Sequence, residues 1–278
     1  SATLQIFFSP KRTFLTQKSL FKKYPFESRS PALARGEVGA WGIFFILINF
    51  SIHRKTNKMN IPEPIQQLVK DMITVKGGTL KRKNKEDDKL TSIDIKDFKI
   101  SKYPITQEQW TAVIGNNPSN FKSIGSEKHP VEKVRWDDVQ DFIEKLNEST
   151  DKNFRLPTVD KWEFAAKGGN MSKGCKYAGS DIIDDVAWYL GNSDRMTHPV
   201  GEKDSNELGI HDMSGNVWEW CQDMYNGDRF RELPEEYRMT CGGSWFDDDK
   251  FCESTVKKAV KTSITEHIDH IGFRLICD

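Results

Sequence analysis

The chain has no excess of charge of either sign, because 41 basic residues balance 41 acidic ones across its 278 positions. That balance removes any whole-chain electrostatic case for nucleic acid or an anionic membrane as partner. Cysteine is scarce too. Cys175, Cys221, Cys241, Cys252 and Cys277 are too few and too irregularly spaced for a disulfide framework or a zinc knuckle, and their odd number leaves at least one thiol unpaired within the molecule. No lipobox cysteine is present in this sequence, since the first cysteine is Cys175. Long apolar runs are missing: AWGIFFILINF at 40–50 has eleven residues, where a membrane-spanning helix takes roughly 20. No internal repeat is apparent. What the chain does have is 37% hydrophobic residues and 11% aromatics, enough for a real core and against wholesale disorder. Its length suits one large domain or two small ones.

Residues 1–58 differ from the rest, with scattered basics (Lys11, Arg12, Lys18, Lys22, Lys23, Arg35) ahead of the apolar run and no sustained periodicity. The run has the length of a signal-peptide core. However, Asn49 interrupts it, no small-x-small cleavage site follows, and His53, Arg54 and Lys55 come next. The expectation is a leader outside the domain, with Met59 the start of the globular part. A signal would place the protein at the cell surface or outside the cell; otherwise it is cytoplasmic.

From Met59 onward the pattern becomes readable. ITVKGGTL at 73–80 alternates and ends in a Gly-Gly turn, as a strand entering a hairpin does. The mixed-charge run KRKNKEDDK at 81–89 reads as an exposed loop, and alternation resumes through Ile93, Ile95, Phe98 and Ile100. Thr106 with Gln109 forms a capping box, Trp110, Val113 and Ile114 give a helical stripe, and Gly115 stops it. The clearest helix begins at Trp136-Asp137, with Val139, Phe142, Ile143 and Leu146 at i, i+3, i+4 and i+7. Its acidic face (Asp138, Asp141, Glu144) is a solvated surface rather than an acid–base pair. A third helix follows Pro157, with Thr158 as N-cap and Gly168-Gly169 as stop.

KYPITQEQWTAVIGNNPS, HPVEKVRWDDVQDFI, RLPTVDKWEFAAKGG, GIHDMSGNVWEWCQD, CGGSWFDDDKFC and IGFRLICD follow one another in order. Together they resemble the sulfatase-modifying-factor (formylglycine-generating-enzyme) domain over residues 72–278. The resemblance implies an α+β, C-type-lectin-like fold: loop-rich, with small twisted antiparallel sheets and two main helices. The domain then spans 59–278, and its ligand-binding segment 241–275. The oxidase members of that family bind Cu(I) through two cysteines, soft donors for a soft ion, and convert a protein cysteine to formylglycine. Carried over, Ser244 and Cys252 keep their catalytic places, but the first cysteine falls on Asp247, a hard oxygen donor. Copper is therefore not expected, and Cys252 reads as a buried small hydrophobe. His129, His198 and His211 do not show the three-histidine arrangement of the related iron enzymes, and a metal pair at His267 and His270 is a further alternative. A calcium loop of some relatives maps onto Asp212, Gly215, Val217 and Glu219, hard oxygen donors suited to Ca²⁺. The alternative there is a turn held by Asn216 and Glu219 without metal.

Variable proteins of diversity-generating retroelements are similar in this same closing region, with a diversified segment between Gly-Gly-Ser-Trp and Ile-Gly-Phe-Arg. By that resemblance the ligand surface comprises Phe246, Asp247, Asp248, Asp249, Lys250, Glu253, Thr255, Lys257, Thr265, Glu266, His267, Asp269 and His270. The expected function is non-catalytic recognition of a protein or carbohydrate by a monomer, and the alternative is a formylglycine-generating oxidase.

Overall fold

The computed structural model describes residues 61–83, 89–225, 236–264 and 268–277, all within the unit 58–278. The leader, and Thr265, Glu266 and His267 of the expected ligand surface, lie outside the described residues. Four helices of eight residues or more occur among those described. Helix α1 (Glu63–Lys70) starts behind Pro62 and buries Ile65 and Leu68. Helix α2 (Gln107–Ile114) carries both bonds of its capping box, Gln109 N–H to Thr106 Oγ1 at 3.3 Å and Thr106 N–H to Gln109 Oε1 at 3.0 Å, and it ends at Gly115 in the left-handed region. Helix α3 (Trp136–Thr150) buries the four residues that its periodicity selects, Val139, Phe142, Ile143 and Leu146. Helix α4 (Val159–Ala166) opens on Thr158, whose side chain accepts Lys161 N–H. A fifth, α5 (Ile183–Val186), is a single turn.

The strands form small sheets. β1 (Met72–Val75), β4 (Phe98–Ser101) and β11 (Ile276–Cys277) make an antiparallel sheet in the order β1-β4-β11, so the last strand joins the same sheet as the domain's first. β2 (Gly78–Lys83) and β3 (Leu90–Ile95) pair as a hairpin. The run read as a loop from Lys81 is thus strand as far as Lys83, and β1 pairs with β4 rather than with its neighbour β2. Charge there is compatible with a strand because Arg82 reaches α4, with Nη2 2.8 Å from Asp160 and 2.6 Å from Glu163. A second sheet runs β10 (Ile271–Gly272), β7 (Trp218–Met224), β8 (Tyr237–Cys241), β9 (Lys257–Lys261), with β10 parallel to β7 and the other pairs antiparallel. β5 (Ala187–Trp188) and β6 (Ser214–Gly215) form a two-residue parallel pair.

The period of two along β7 divides the core. Trp218 and Trp220 face a cluster built on α1, α2 and α3, where Trp110 stacks on Phe142 at 5.2 Å and Phe273 meets both edge-on. Glu219 and Cys221 face the other way, toward α4 and the β1-β4-β11 sheet. Gly272 is required where β10 passes Val131, since a Cβ there would lie 2.5 Å from the Val131 carbonyl oxygen.

Candidate functional site: the turn after β8

The second face of β7 holds a fully buried ion pair. Arg274 grips Glu219 with two hydrogen bonds, Nε to Oε2 and Nη2 to Oε1, each 2.7 Å, and Trp162 Nε1 donates to Oε2 at 2.6 Å. Two of the three remaining guanidinium protons go to the carbonyls of Ser101 and His211. This ties β7, α4, the chain's end and the loop before β6 into one knot, and it bears on the calcium expectation. A calcium ion takes six to eight oxygen donors, yet both Glu219 oxygens are committed to a cation already in place. Asp212 is buried and accepts Gly201 N–H at 2.8 Å; burial pushes its carboxyl up to about 6, partly offset by that N–H and by Arg274. The set Asp212, Gly215, Val217 and Glu219 does not fit a calcium ion with Glu219 so engaged. Among the described residues, no three His, Cys, Asp or Glu side chains are grouped to hold a metal.

Above this knot, Gly242 and Gly243 turn the chain out of β8, both at positive φ. Glycine is needed at 243: a Cβ there would lie 2.8 Å from Cys252 Sγ. Ser244 is buried, and its hydroxyl donates to Asp247 Oδ2. Trp218 Nε1 donates to the same oxygen at 2.8 Å. Asp247 is therefore the fastener of the turn, and its backbone carbonyl also accepts Leu190 N–H at 3.0 Å. Trp245 is pinned from three sides: Ser193 Oγ donates to its carbonyl at 2.7 Å, its Nε1 donates to the Asp269 carbonyl at 3.0 Å, and Phe121 meets its ring edge-on at 5.1 Å. Cys252 is fully buried beside Tyr177 and Val186. Burial pushes its thiol far up, and the charges of Asp247 and Asp249 push it further. A neutral thiol beside a carboxylate already bonded to Ser244 and Trp218 does not offer Cu(I) the two thiolates it favours.

Several expected ligand residues come together on this frame. Phe246 is 56% exposed, Asp248, Asp249, Lys250 and Thr255 are exposed, and Glu253 is partly so. Asp269 and His270 stand beside them through the Trp245 contact; burial, then Lys258, lowers the His270 imidazole, opposed by Asp247. Lys257 does not join them. Its amine bonds Glu163 at 3.0 Å, next to Arg82 and Lys167. The structure adds neighbours that the sequence did not mark. Lys176 lies 3.8 Å from Asp249 and 3.6 Å from Glu253, Tyr177 donates to Asp249, and exposed Leu190 and Phe251 flank the tip. The segment 176–192 has no periodicity to betray it. His129, His198 and His211 are separately engaged by Thr197 Oγ1, the Ser193 carbonyl and the Lys203 carbonyl.

Short sheets, a few helices and long pinned loops, with the last strand pairing onto β4 beside β1, define a C-type-lectin-like fold of the formylglycine-generating type. The chain belongs to the family described as the sulfatase-modifying factor enzyme 1-like domain, which it matches over residues 58–278. It is 37% identical to the chaperone protein LppX of Paenibacillus barcinonensis over 63% of this chain and 78% of that one. The serine/threonine-protein kinase Pkn1 of Chlamydia trachomatis is 27% identical over 67% of this chain, and the match spans only 35% of that kinase. The formylglycine-generating enzyme of Streptomyces coelicolor is 28% identical over 55% of this chain and 54% of that enzyme. Among solved structures, Treponema denticola variable protein 1 superposes with a TM-score of 0.65 at 26% identity, covering 74% of this chain and 94% of that one. Among the described residues, no helix is long and apolar enough to cross a membrane.

Proposed function

We propose that the domain is a non-catalytic recognition module whose ligand surface is the tip 246–253 together with Asp269, His270 and the adjoining segment 176–192. The observation that carries this reading is Asp247. It stands where the oxidases keep a copper-binding cysteine, and it is bonded to Ser244 and Trp218, which makes it a structural fastener of the loop. A rigid base carrying exposed side chains suits binding, since a stable scaffold lets such loops change without loss of fold. The likeness to a variable protein supports the same reading, with a diversified tip as in the proteins of diversity-generating retroelements.

The ligand chemistry follows from the face. Phe246, Phe251, Leu190 and Ile182 are exposed apolar side chains, and Asp181, Asp184, Asp185, Asp248 and Asp249 are exposed carboxylates around them. Lys176, Lys203 and Lys250 offset only part of that charge. A protein segment bearing basic and apolar side chains complements this surface. The test is fluorescence polarisation with two synthetic peptides of equal apolar content, one lysine-rich and one glutamate-rich. The lysine-rich peptide should bind, weaken with salt, and lose about tenfold or more in affinity with Phe246→Ala combined with Asp248→Asn and Asp249→Asn. Equal binding of the acidic peptide, or indifference to the three substitutions, would overturn the proposal.

A further inference from the structure

Cys221 and Cys241 face each other across β7 and β8 with their sulfurs 3.8 Å apart. Both are buried, at 0% and 2% exposure, and both belong to the core cluster on the α4 side. The other buried thiols sit elsewhere: Cys252 packs with Tyr177 and Val186, and Cys277 with the helix-side cluster. In the strand register Cys241 is opposite Glu219, so Cys221, two residues further along, is its diagonal neighbour on the same face. Diagonal neighbours are ordinarily about 7–8 Å apart, so it is the 3.8 Å between these two sulfurs, rather than the register alone, that marks them as a pair. The register shifts just past Trp220, and such an irregularity gives the two strands local freedom to adjust.

We propose that Cys221 and Cys241 are a disulfide-forming pair that covalently links β7 to β8 at the base of the recognition turn. Closure brings the sulfurs from 3.8 Å to about 2.05 Å. The oxidant is a small disulfide such as oxidised glutathione. One cysteine thiolate attacks a sulfur of that disulfide, forming a mixed disulfide and releasing one glutathione thiolate. The second cysteine thiolate then attacks the protein-side sulfur and releases the other. Two protein thiols are oxidised, one external disulfide is reduced, and the two protons lost by the cysteines end on the two glutathione thiols. Burial pushes the Cys221 thiol up, with the Cys241 sulfur adding to the effect, so little attacking thiolate exists once the strands are packed. Exchange is therefore completed during folding, before β7 and β8 close, and the folded dithiol resists later oxidation. Cys241 immediately precedes Gly242-Gly243, so the bond fixes the root of the turn that carries Phe246 to Cys252. The inference stands whether or not that turn binds a peptide.

The test is refolding of the whole denatured protein in a glutathione redox buffer, followed by intact mass, peptide mapping and thermal melting. The expected product has lost two hydrogens and yields a cross-linked peptide joining residues 221 and 241. It melts about 6–12 °C above the fully reduced form, as a loop of this length implies. Folded, reduced protein given the same buffer should stay reduced over the same time. Cys252→Ala should keep the cross-link, and Cys221→Ala should abolish it. The mapping of the unsubstituted protein decides the matter even where Cys221→Ala fails to fold. Two thiols at 221 and 241 still open to alkylation after refolding, a cross-link through another cysteine, or a stoichiometric soft metal ion held by the pair in place of the bond would each overturn the proposal.

Discussion

Substituting Arg274 by methionine removes the positive half of the buried pair while keeping most of the side-chain volume. Glu219 would then be a carboxylate at 0% exposure with one remaining donor, Trp162 Nε1, and the Ser101 and His211 carbonyls would each lose a partner. Breaking a buried ion pair from one side costs about 3–5 kcal/mol, because the surviving charge is left uncompensated in a poorly polarisable interior. For a domain of this size, each kcal/mol moves the melting temperature by about 2–4 °C, so a fall of about 6–20 °C is expected. Glu219→Leu combined with Arg274→Met should recover much of the loss, since neither charge then remains. The assay is urea denaturation followed by circular dichroism, each variant measured with EDTA and with excess calcium. The knot as described requires that the unsubstituted protein be indifferent to both additions. A loss below about 1 kcal/mol in Arg274→Met would show that Glu219 does not depend on Arg274, and stabilisation of the parent protein by calcium would show that Glu219 also ligates the ion; either result overturns the knot.

Two further outcomes follow from buried positions. Glu132 is fully buried with Oε1 accepting Phe121 N–H at 2.9 Å and Oε2 without a partner, and burial pushes its carboxyl up to about 7. A carboxyl whose pKa is raised by folding binds its proton more tightly in the native state, so its contribution weakens stability as pH rises from about 4.5 through about 7. Glu132→Gln keeps the acceptor for Phe121, and it should cut the fall in stability between pH 5 and pH 8 by about 2–3 kcal/mol, read from denaturation curves at the two pH values; an unchanged pH profile would contradict this. Gly272→Ala pushes a methyl group against the Val131 carbonyl oxygen and should cost about 1–3 kcal/mol, measurable by thermal melting, whereas a neutral result would mean that β10 can move away from Val131.

The helices were the most legible part of the fold because their information is local. Thr106 and Gln109 cap α2 three residues apart, and the stripe Val139, Phe142, Ile143, Leu146 lies within one helix. Helix α1 passed unread although Pro62 announces it, since its eight residues bury only Ile65 and Leu68. Signals that depend on distant partners were the least legible. Lys81 to Lys83 resemble a loop until Arg82 meets Asp160 and Glu163 across nearly eighty residues. Glu219, placed in a calcium loop by resemblance, also meets Arg274, 55 residues on, which no local pattern announces. Lys257 resembles a tip residue until its amine is found on Glu163. The exposure of Phe246, Asp248 and Asp249 was legible in the sequence, where an aromatic and acidic run follows the Gly242-Gly243 turn. The flank of this tip at Lys176, Tyr177 and Leu190 was not, because only the folded loops bring those residues beside it.

The central claim is that Asp247 converts a place for redox chemistry into the fastener of a binding loop. The measurement that tests it most directly is the mass of a cysteine-containing peptide incubated with the protein, Cu(I), a thiol reductant and oxygen. The peptide should leave with its thiol intact, even where copper is retained elsewhere on the protein. Oxygen-dependent conversion of that cysteine to formylglycine, lost on Cys252→Ala, would contradict the claim.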